Sequence, residues 1–504
     1  MFVKLNSAAL VGLEGEPVEV EVDLQRGQTA FTIVGLADTS IKEARDRIYS
    51  ALKNSGYTYP FNFRILVNLA PADLAKEGPA YDLPMAAGIA ALGNKITIST
   101  SESLVAGELG LDGSVRHIAG VLPLALFARR HGLREIFVPA NDAAEAALVP
   151  ELHVYPVRTL VELLDHLSGK TRIAPYVRQE IPLAKILPEM DFALVKGQEF
   201  AKRALEIAAS GGHNILLNGP PGSGKTLLAR SLPSILPSLS PDEALEVTKI
   251  YSIAGLLTDA LITERPFRAP HHTASSAALI GGGRIPRPGE ITLAHRGVLF
   301  LDEFPEFPRT VIEALRQPLE DGSVTVARAH GSTRFPSQVL LIASQNPCPC
   351  GFASDPDGRC VCAPAHITRY QKKLSGPLLD RIDLHVEVPR VKFDKLASNE
   401  LAEASSAIRG RVAAARARQT QRFTGSALCT NSEMGNTEIK KFCRLDNASL
   451  ELLRAASERL RFSARGFNRI LKVSRTIADL ANSTEIQLEH LAEALQFRLR
   501  GETN

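Results

Sequence analysis

The 504-residue chain contains no run of eighteen apolar residues, so no helix is expected to cross a membrane. Met1-Phe2-Val3-Lys4 does not begin a signal peptide, and the expected compartment is the cytoplasm. A surplus of one charge is also missing. With 58 Lys and Arg against 55 Asp and Glu, the formal net charge is +3, so any nucleic-acid-binding patch must be local. Cysteine is scarce, at six residues. In a cytoplasmic protein these are not expected to form a disulfide framework, and their clustering needs another explanation. Internal repeats and low-complexity tracts are absent, and the length suits about three domains.

What is present centres on Gly219-Pro220-Pro221-Gly222-Ser223-Gly224-Lys225-Thr226. This stretch follows the apolar run Ile215-Leu216-Leu217 and precedes the helix-like Leu227-Leu228-Ala229-Arg230. Strand, glycine-rich loop and helix is the context of a phosphate-binding loop (Walker A), where backbone N–H groups and a helix N-terminus surround a polyphosphate. Lys225 is expected to reach the β- and γ-phosphates, and the Thr226 hydroxyl to hold Mg²⁺. A dinucleotide-binding G-x-G-x-x-G reading fails, because Leu227 stands where the third glycine belongs. The expected ligand is a nucleoside triphosphate.

The partner carboxylates come from Gly297-Val298-Leu299-Phe300-Leu301-Asp302-Glu303, a buried-strand pattern ending in two acids (Walker B). Asp302 is predicted to orient the Mg²⁺ waters and Glu303 to position and deprotonate the attacking water. A further strand, Gln338 to Ala343, leads through Ser344-Gln345 to Asn346, whose amide is placed to hydrogen-bond the γ-phosphate or the water, the job called sensor 1 in AAA+ ATPases. Ser375-Gly376-Pro377-Leu378-Leu379-Asp380-Arg381-Ile382-Asp383 resembles the stretch that carries an arginine finger in that superfamily. The likeness implies that Arg381 acts on a neighbouring subunit's site, and hence a ring; a solvated Arg paired with Asp380 or Asp383 is the alternative. Phe462-Ser463-Ala464-Arg465-Gly466 resembles the sensor 2 signature, which senses the γ-phosphate from the lid, with Arg469 one turn later on the same helix face as a rival to Arg465.

Two insertions enlarge the core. Arg265-Pro266-Phe267-Arg268-Ala269-Pro270-His271-His272-Thr273 and Leu279-Ile280-Gly281-Gly282-Gly283-Arg284 resemble the helix-2 insertion of AAA+ motors, whose loops point into a central pore. His271-His272 lacks the companion ligand spacing of a metal site. Ser323 to Arg328 and Thr333-Arg334-Phe335, about a Gly331-Ser332 turn, predict a β-hairpin. It resembles the presensor hairpin of replicative helicases, with Arg328 where those carry a DNA-contacting lysine. Solvated arginines on an exposed hairpin are the other reading. Cys348-Pro349-Cys350 and Cys360-Val361-Cys362 supply four thiols within fifteen residues, suited to structural zinc or to reduced thiols without metal. Cys429 and Cys443 read as ordinary buried thiols.

Together these motifs resemble the magnesium-chelatase-like AAA+ ATPases of the YifB/ComM type across nearly the whole chain. The stretches carrying the likeness are Arg265 to Thr273, Pro288-Gly289-Glu290-Ile291, Leu315-Arg316-Gln317-Pro318-Leu319-Glu320 and Asn346-Pro347-Cys348-Pro349-Cys350-Gly351. The likeness implies an α/β multidomain chain. Residues 1–175 would form a degenerate Lon-protease-like (ribosomal S5 domain 2-like) α+β domain, 176–191 a linker, 192–392 an AAA+ P-loop core, and 393–504 a helical lid. Where Lon-type proteases place their catalytic Ser and Lys, Lys76-Glu77-Gly78-Pro79 is followed here by Ala80, and Ile118-Ala119-Gly120-Val121 by Leu122. Neither can act as nucleophile or base. In the N-terminal region itself, Val18 to Leu24 alternates at period two with Ala30 to Val34 as its expected hairpin partner, and Thr39 or Ser40 is expected to cap the next helix. Function divides three ways: a hexameric DNA-remodelling motor using ATP and Mg²⁺ for branch migration, a chelatase-type chaperone motor acting on a protein, or a nucleotide-dependent scaffold.

Overall fold

A computed structural model describes residues 1–179, 191–283, 286–328, 331–353, 358–391, 395, 401–426, 428–460 and 463–498. The chain divides into two compact units, residues 1–182 with 241–262, and residues 183–240 with 263–504.

The first unit is built on a seven-stranded mixed sheet in the order Ala30–Val34, Phe63–Ala70, Glu14–Arg26, Phe2–Val11, Ser103–Val105, Glu135–Pro139, His153–Val157. The expected hairpin is not formed: Glu14–Arg26 pairs antiparallel with Phe2–Val11 and Phe63–Ala70, while Ala30–Val34 runs parallel to Phe63–Ala70 at the edge. Burial explains the exchange. Ile65, Val67 and Leu69 are fully buried, whereas Ala30–Val34 buries none of its residues completely, so the more apolar strand takes the interior position. The helix Thr39–Asn54 is capped not by Thr39 or Ser40 but by Asp38, whose carboxylate accepts the Ile41 N–H at 2.8 Å.

A second departure lies at Pro241–Ile262, inside the stretch expected to belong to the ATPase core. Its helix Pro241–Ala254 joins the first unit against the helix Val121–Arg130, where Leu245 packs on the core that holds Leu122 and Leu124. Ser252 Oγ meets Glu145 Oε1 at 2.5 Å, and Glu145 also accepts the Leu122 N–H at 2.6 Å. Burial pushes the Glu145 carboxyl up to about 7, against these hydrogen bonds.

In the second unit five parallel strands stand in the order Phe267–Arg268, Val298–Leu301, Leu340–Gln345, Ile215–Asn218, Leu384–Glu387. The central three are near-continuous apolar runs, as a sheet covered on both faces requires. The helices Ser405–Arg422, Asn436–Phe442, Asn447–Leu460, Ala464–Leu480 and Leu488–Gln496 follow, and their Ile408, Val412, Ile470 and Ile477 share one core with Ile215, Phe300 and Ile342. Ser323–Arg328 pairs antiparallel with Gly331–Pro336, so the expected hairpin forms, with Gly331 and Ser332 in its second strand rather than in the turn. The expected linker lies largely outside the described residues, and no described helix is long and apolar enough to cross a membrane.

Candidate nucleotide-binding site

Parallel strands deliver their carboxyl ends to one edge of the sheet, where open α/β folds bind ligands. Here Asn218, Leu301 and Gln345 end neighbouring strands, and the chain continuing from each lines a cleft of about 420 Å³. Pro221 to Leu227, Asp302, Glu303, Ser344, Gln345 and Asn346 surround it. The Walker A strand is not adjacent to the Walker B strand; the strand leading to Asn346 lies between them.

Gly222 and Gly224 hold φ of 75° and 92°, the left-handed turns a side chain would strain, and the helix Lys225–Ser231 begins directly afterwards. Lys225 Nζ donates to Gly219 O at 2.6 Å, Pro220 O at 3.0 Å and Asn346 Oδ1 at 3.2 Å. Burial holds its ammonium below the usual lysine value, with Asp302 and Glu303 opposing. Thr226 Oγ1 donates to Asp302 Oδ2 at 3.0 Å, so the hydroxyl and carboxylate expected at Mg²⁺ are side by side. Two oxygens this close, one anionic, fit a hard divalent cation that keeps several waters.

Glu303 takes a left-handed φ of 51°, unusual for a residue with a side chain and found most often at functional sites. Its N–H donates to Asp302 Oδ1 at 3.1 Å and to Ser344 Oγ at 3.2 Å, which hold it there. Ser344 also bonds Asp302. Three contacts were not anticipated. Ser344 follows an apolar run and could have been flagged as a polar strand end. His272, which has no metal-site spacing in the sequence, puts Nδ1 3.4 Å from Glu303 Oε2. Gln198 donates from its amide to Ser223 O at 3.1 Å and Pro389 O at 2.5 Å, tying the segment before the helix Glu199–Gly211 to the phosphate loop. A Gly-Gln-Glu run before a helix was its only signal.

Neither arginine lines this cleft. Arg381, 7 % exposed, donates to Pro377 O at 2.6 Å and pairs with Glu320, not with Asp380 or Asp383. Arg465 Nη2 donates to the other oxygen of Glu320 at 3.0 Å and its side chain is 57 % exposed. Arg469 is occupied elsewhere: it bonds Asp383 and donates to Arg381 O at 2.9 Å. In the hairpin, Arg334 Nε is turned back to Ser323 Oγ at 2.9 Å, and Arg328 stands by register at the end of the ladder, opposite Gly331. Arg287 is exposed on the strand Arg287–Pro288, which pairs with Gly281–Gly282; Arg284 lies outside the described residues.

Of the two isolated cysteines expected to be buried, Cys443 is and Cys429 is exposed; the other four converge. The sulfurs of Cys348, Cys350, Cys360 and Cys362 all lie within 4.8 Å of one another, with separations of 3.3, 3.8 and 3.7 Å among the first three. Four thiolates about 2.3 Å from a tetrahedral zinc stand about 3.8 Å apart, so the donor set fits that ion. A Cβ on Gly351 would come within 2.4 Å of Pro221 Cδ, so this loop abuts the phosphate loop.

A phosphate loop, an acidic pair, a polar strand end between them and a helical C-terminal region sharing their core define a P-loop α/β domain of the AAA+ type. Residues 191–396 match the family described as magnesium chelatase, subunit ChlI; residues 402–498 match its C-terminal part, and residues 20–142 match subunit ChlI of Mg-chelatase. The chain is 42% identical to the competence protein ComM of Haemophilus influenzae, over 98% of this chain and 96% of that protein. It is 41% identical to YifB of Escherichia coli over the same shares. The magnesium-chelatase 38 kDa subunit of Cereibacter sphaeroides is 25% identical over 39% of this chain and 58% of its own length. The chain belongs to the ComM/YifB-type family of magnesium-chelatase-like proteins. Membership implies use of ATP and Mg²⁺.

Proposed function

We propose that the protein is an ATP-hydrolysing ring motor that moves branched DNA in homologous recombination during natural transformation. The observation that carries the hydrolytic part is the convergence of Lys225, Thr226, Asp302, Glu303 and Asn346 on one cleft. Lys225 binds the terminal phosphates, Asn346 orients them, and Glu303 takes the proton of the attacking water. Thr226 and Asp302 would hold Mg²⁺, which would supply positive charge against the phosphates. Arg381 and Arg465 stand apart from the cleft of their own chain and act in that of a neighbour, which makes the working unit a homo-hexamer. Arg469, paired with Asp383, has a structural role.

The DNA part rests on the relationship to a competence protein and on the hairpin ending at Arg328. The segments carrying Arg328, Arg334 and Arg287 face the pore, where their charges neutralise backbone phosphates, so binding is sequence-independent and weakens steeply with salt. Cys348, Cys350, Cys360 and Cys362 would hold zinc, which would pin their loop beside the phosphate loop. The N-terminal region is a Lon-like fold without protease activity, since Ala80 and Leu122 supply no nucleophile or base.

The test is ATP-driven movement of a labelled synthetic four-way DNA junction by the full chain. Movement that disappears in Glu303→Gln supports a DNA motor. A junction left intact while ATP is hydrolysed points instead to a chelatase-type motor acting on a protein.

A further inference from the structure

Glu320 sits outside the nucleotide cleft, yet its carboxylate uses both oxygens on guanidinium groups. Oε2 pairs with Arg381 and Oε1 accepts from Arg465 Nη2 at 3.0 Å. The two arginines come from separate elements, the turn after Gly376–Leu379 and the first turn of Ala464–Leu480. Two like charges would drive these segments apart, and the shared anion removes that cost. Arg381 depends on it most. Its side chain is 7 % exposed, Nη1 is spent on Pro377 O at 2.6 Å, and the buried Nε has no hydrogen-bond partner. Glu320 is its one anionic partner among the described ion pairs. Arg381 beside Glu320 in turn holds that carboxyl below the usual carboxylate range. The helix Arg316–Asp321 that carries Glu320 is anchored by buried Pro318 and contacts the first strand of the hairpin, Ser323–Arg328.

We propose that Glu320 is a positioning residue that holds Arg381 and Arg465 together as one unit for a neighbouring subunit's terminal phosphate. The inference rests on the reading that both arginines act in trans. Glu320 touches no substrate; it fixes where the two charges are presented, and preorganised charge is what stabilises a transferring phosphoryl group.

The experiment uses mixed assemblies of the full chain with ATP turnover and fluorescent-nucleotide affinity as readouts. Alone, Glu320→Gln and Glu320→Ala lower kcat about tenfold or more, nucleotide affinity stays within about twofold, and Glu320→Asp recovers part of the rate. Mixed with Glu303→Gln, which has intact arginines, Glu320→Gln regains turnover, because its own cleft is sound. Mixed with Arg381→Ala it regains none, because both subunits lack the same contribution. An undiminished kcat in Glu320→Gln, or rescue by Arg381→Ala, overturns the assignment. Failure of the control pair Arg381→Ala and Glu303→Gln to complement each other would instead remove the trans reading beneath it.

Discussion

Replacing Arg469 with alanine should damage stability, whereas replacing Arg465 should damage turnover, although the two lie one helical turn apart. Asp383 is 4 % exposed; it bonds Arg469, faces His213 Nδ1 at 3.3 Å and accepts the Asn214 N–H at 3.2 Å. Removing one partner of a buried ion pair costs about 3–5 kcal/mol, because the other charge is left uncompensated. Asp383 keeps two further partners and the Arg469 side chain is 20 % exposed, so about 2–3 kcal/mol is the expected loss. Arg465 and Glu320 are 57 % and 47 % exposed, and a pair that open contributes about 0–1 kcal/mol. Hydrogen exchange along Ala464–Leu480 should therefore speed up by about 30- to 150-fold in Arg469→Ala and less than about fivefold in Arg465→Ala. The pH dependence follows from the same pair. Burial raises the Asp383 pKa, but Arg469 and His213 outweigh it and hold the carboxyl well below its ordinary 3.8. A depressed pKa gives stability that is present above the unfolded value and is lost as pH falls through the folded one. The wild type should thus lose this contribution only below about pH 4, and Arg469→Ala should show a weaker acid dependence there. Equal protection loss in the two variants, or none in Arg469→Ala, would refute the division of roles.

Glu303→Gln should bind nucleotide as tightly as wild type with turnover reduced at least about 100-fold, while Lys225→Ala should weaken binding itself; equilibrium titration and steady-state hydrolysis separate the two effects. Protein purified under reducing conditions should carry about one zinc per chain by metal analysis. Chelation should loosen residues 348–362 and, since Gly351 abuts Pro221, raise the KM for ATP; metal-free protein with an unchanged KM would count against it. Arg328→Ala should lower the slope of log affinity for DNA against log salt by about one unit, the share of one phosphate contact, and an unchanged slope would remove Arg328 from the DNA path.

Much of the second unit is legible in the sequence because its parallel strands are short apolar runs ending in chemistry-bearing residues, as at Leu301-Asp302-Glu303 and Ser344-Gln345-Asn346. Spacing alone could not show that Lys225 meets Asn346, since that contact depends on strand order. The first unit was harder. Val18 to Leu24 alternates clearly, but alternation does not name a partner, and the edge position of Ala30–Val34 follows from burial across three strands. Pro241–Ile262 carries no composition shift to betray that it leaves the ATPase core. In the sequence Glu320 is only the end of a family-like stretch; a single acid on a short helix has no local signature, and its meaning comes from two arginines brought to it by the fold.

The most direct test of the central claim is ATP hydrolysis by the full chain at low salt, measured without DNA and with single-stranded, duplex and four-way-junction DNA. A DNA motor should hydrolyse several-fold faster with branched or single-stranded DNA, and the gain should fade as salt rises. Hydrolysis indifferent to DNA of every architecture would contradict it.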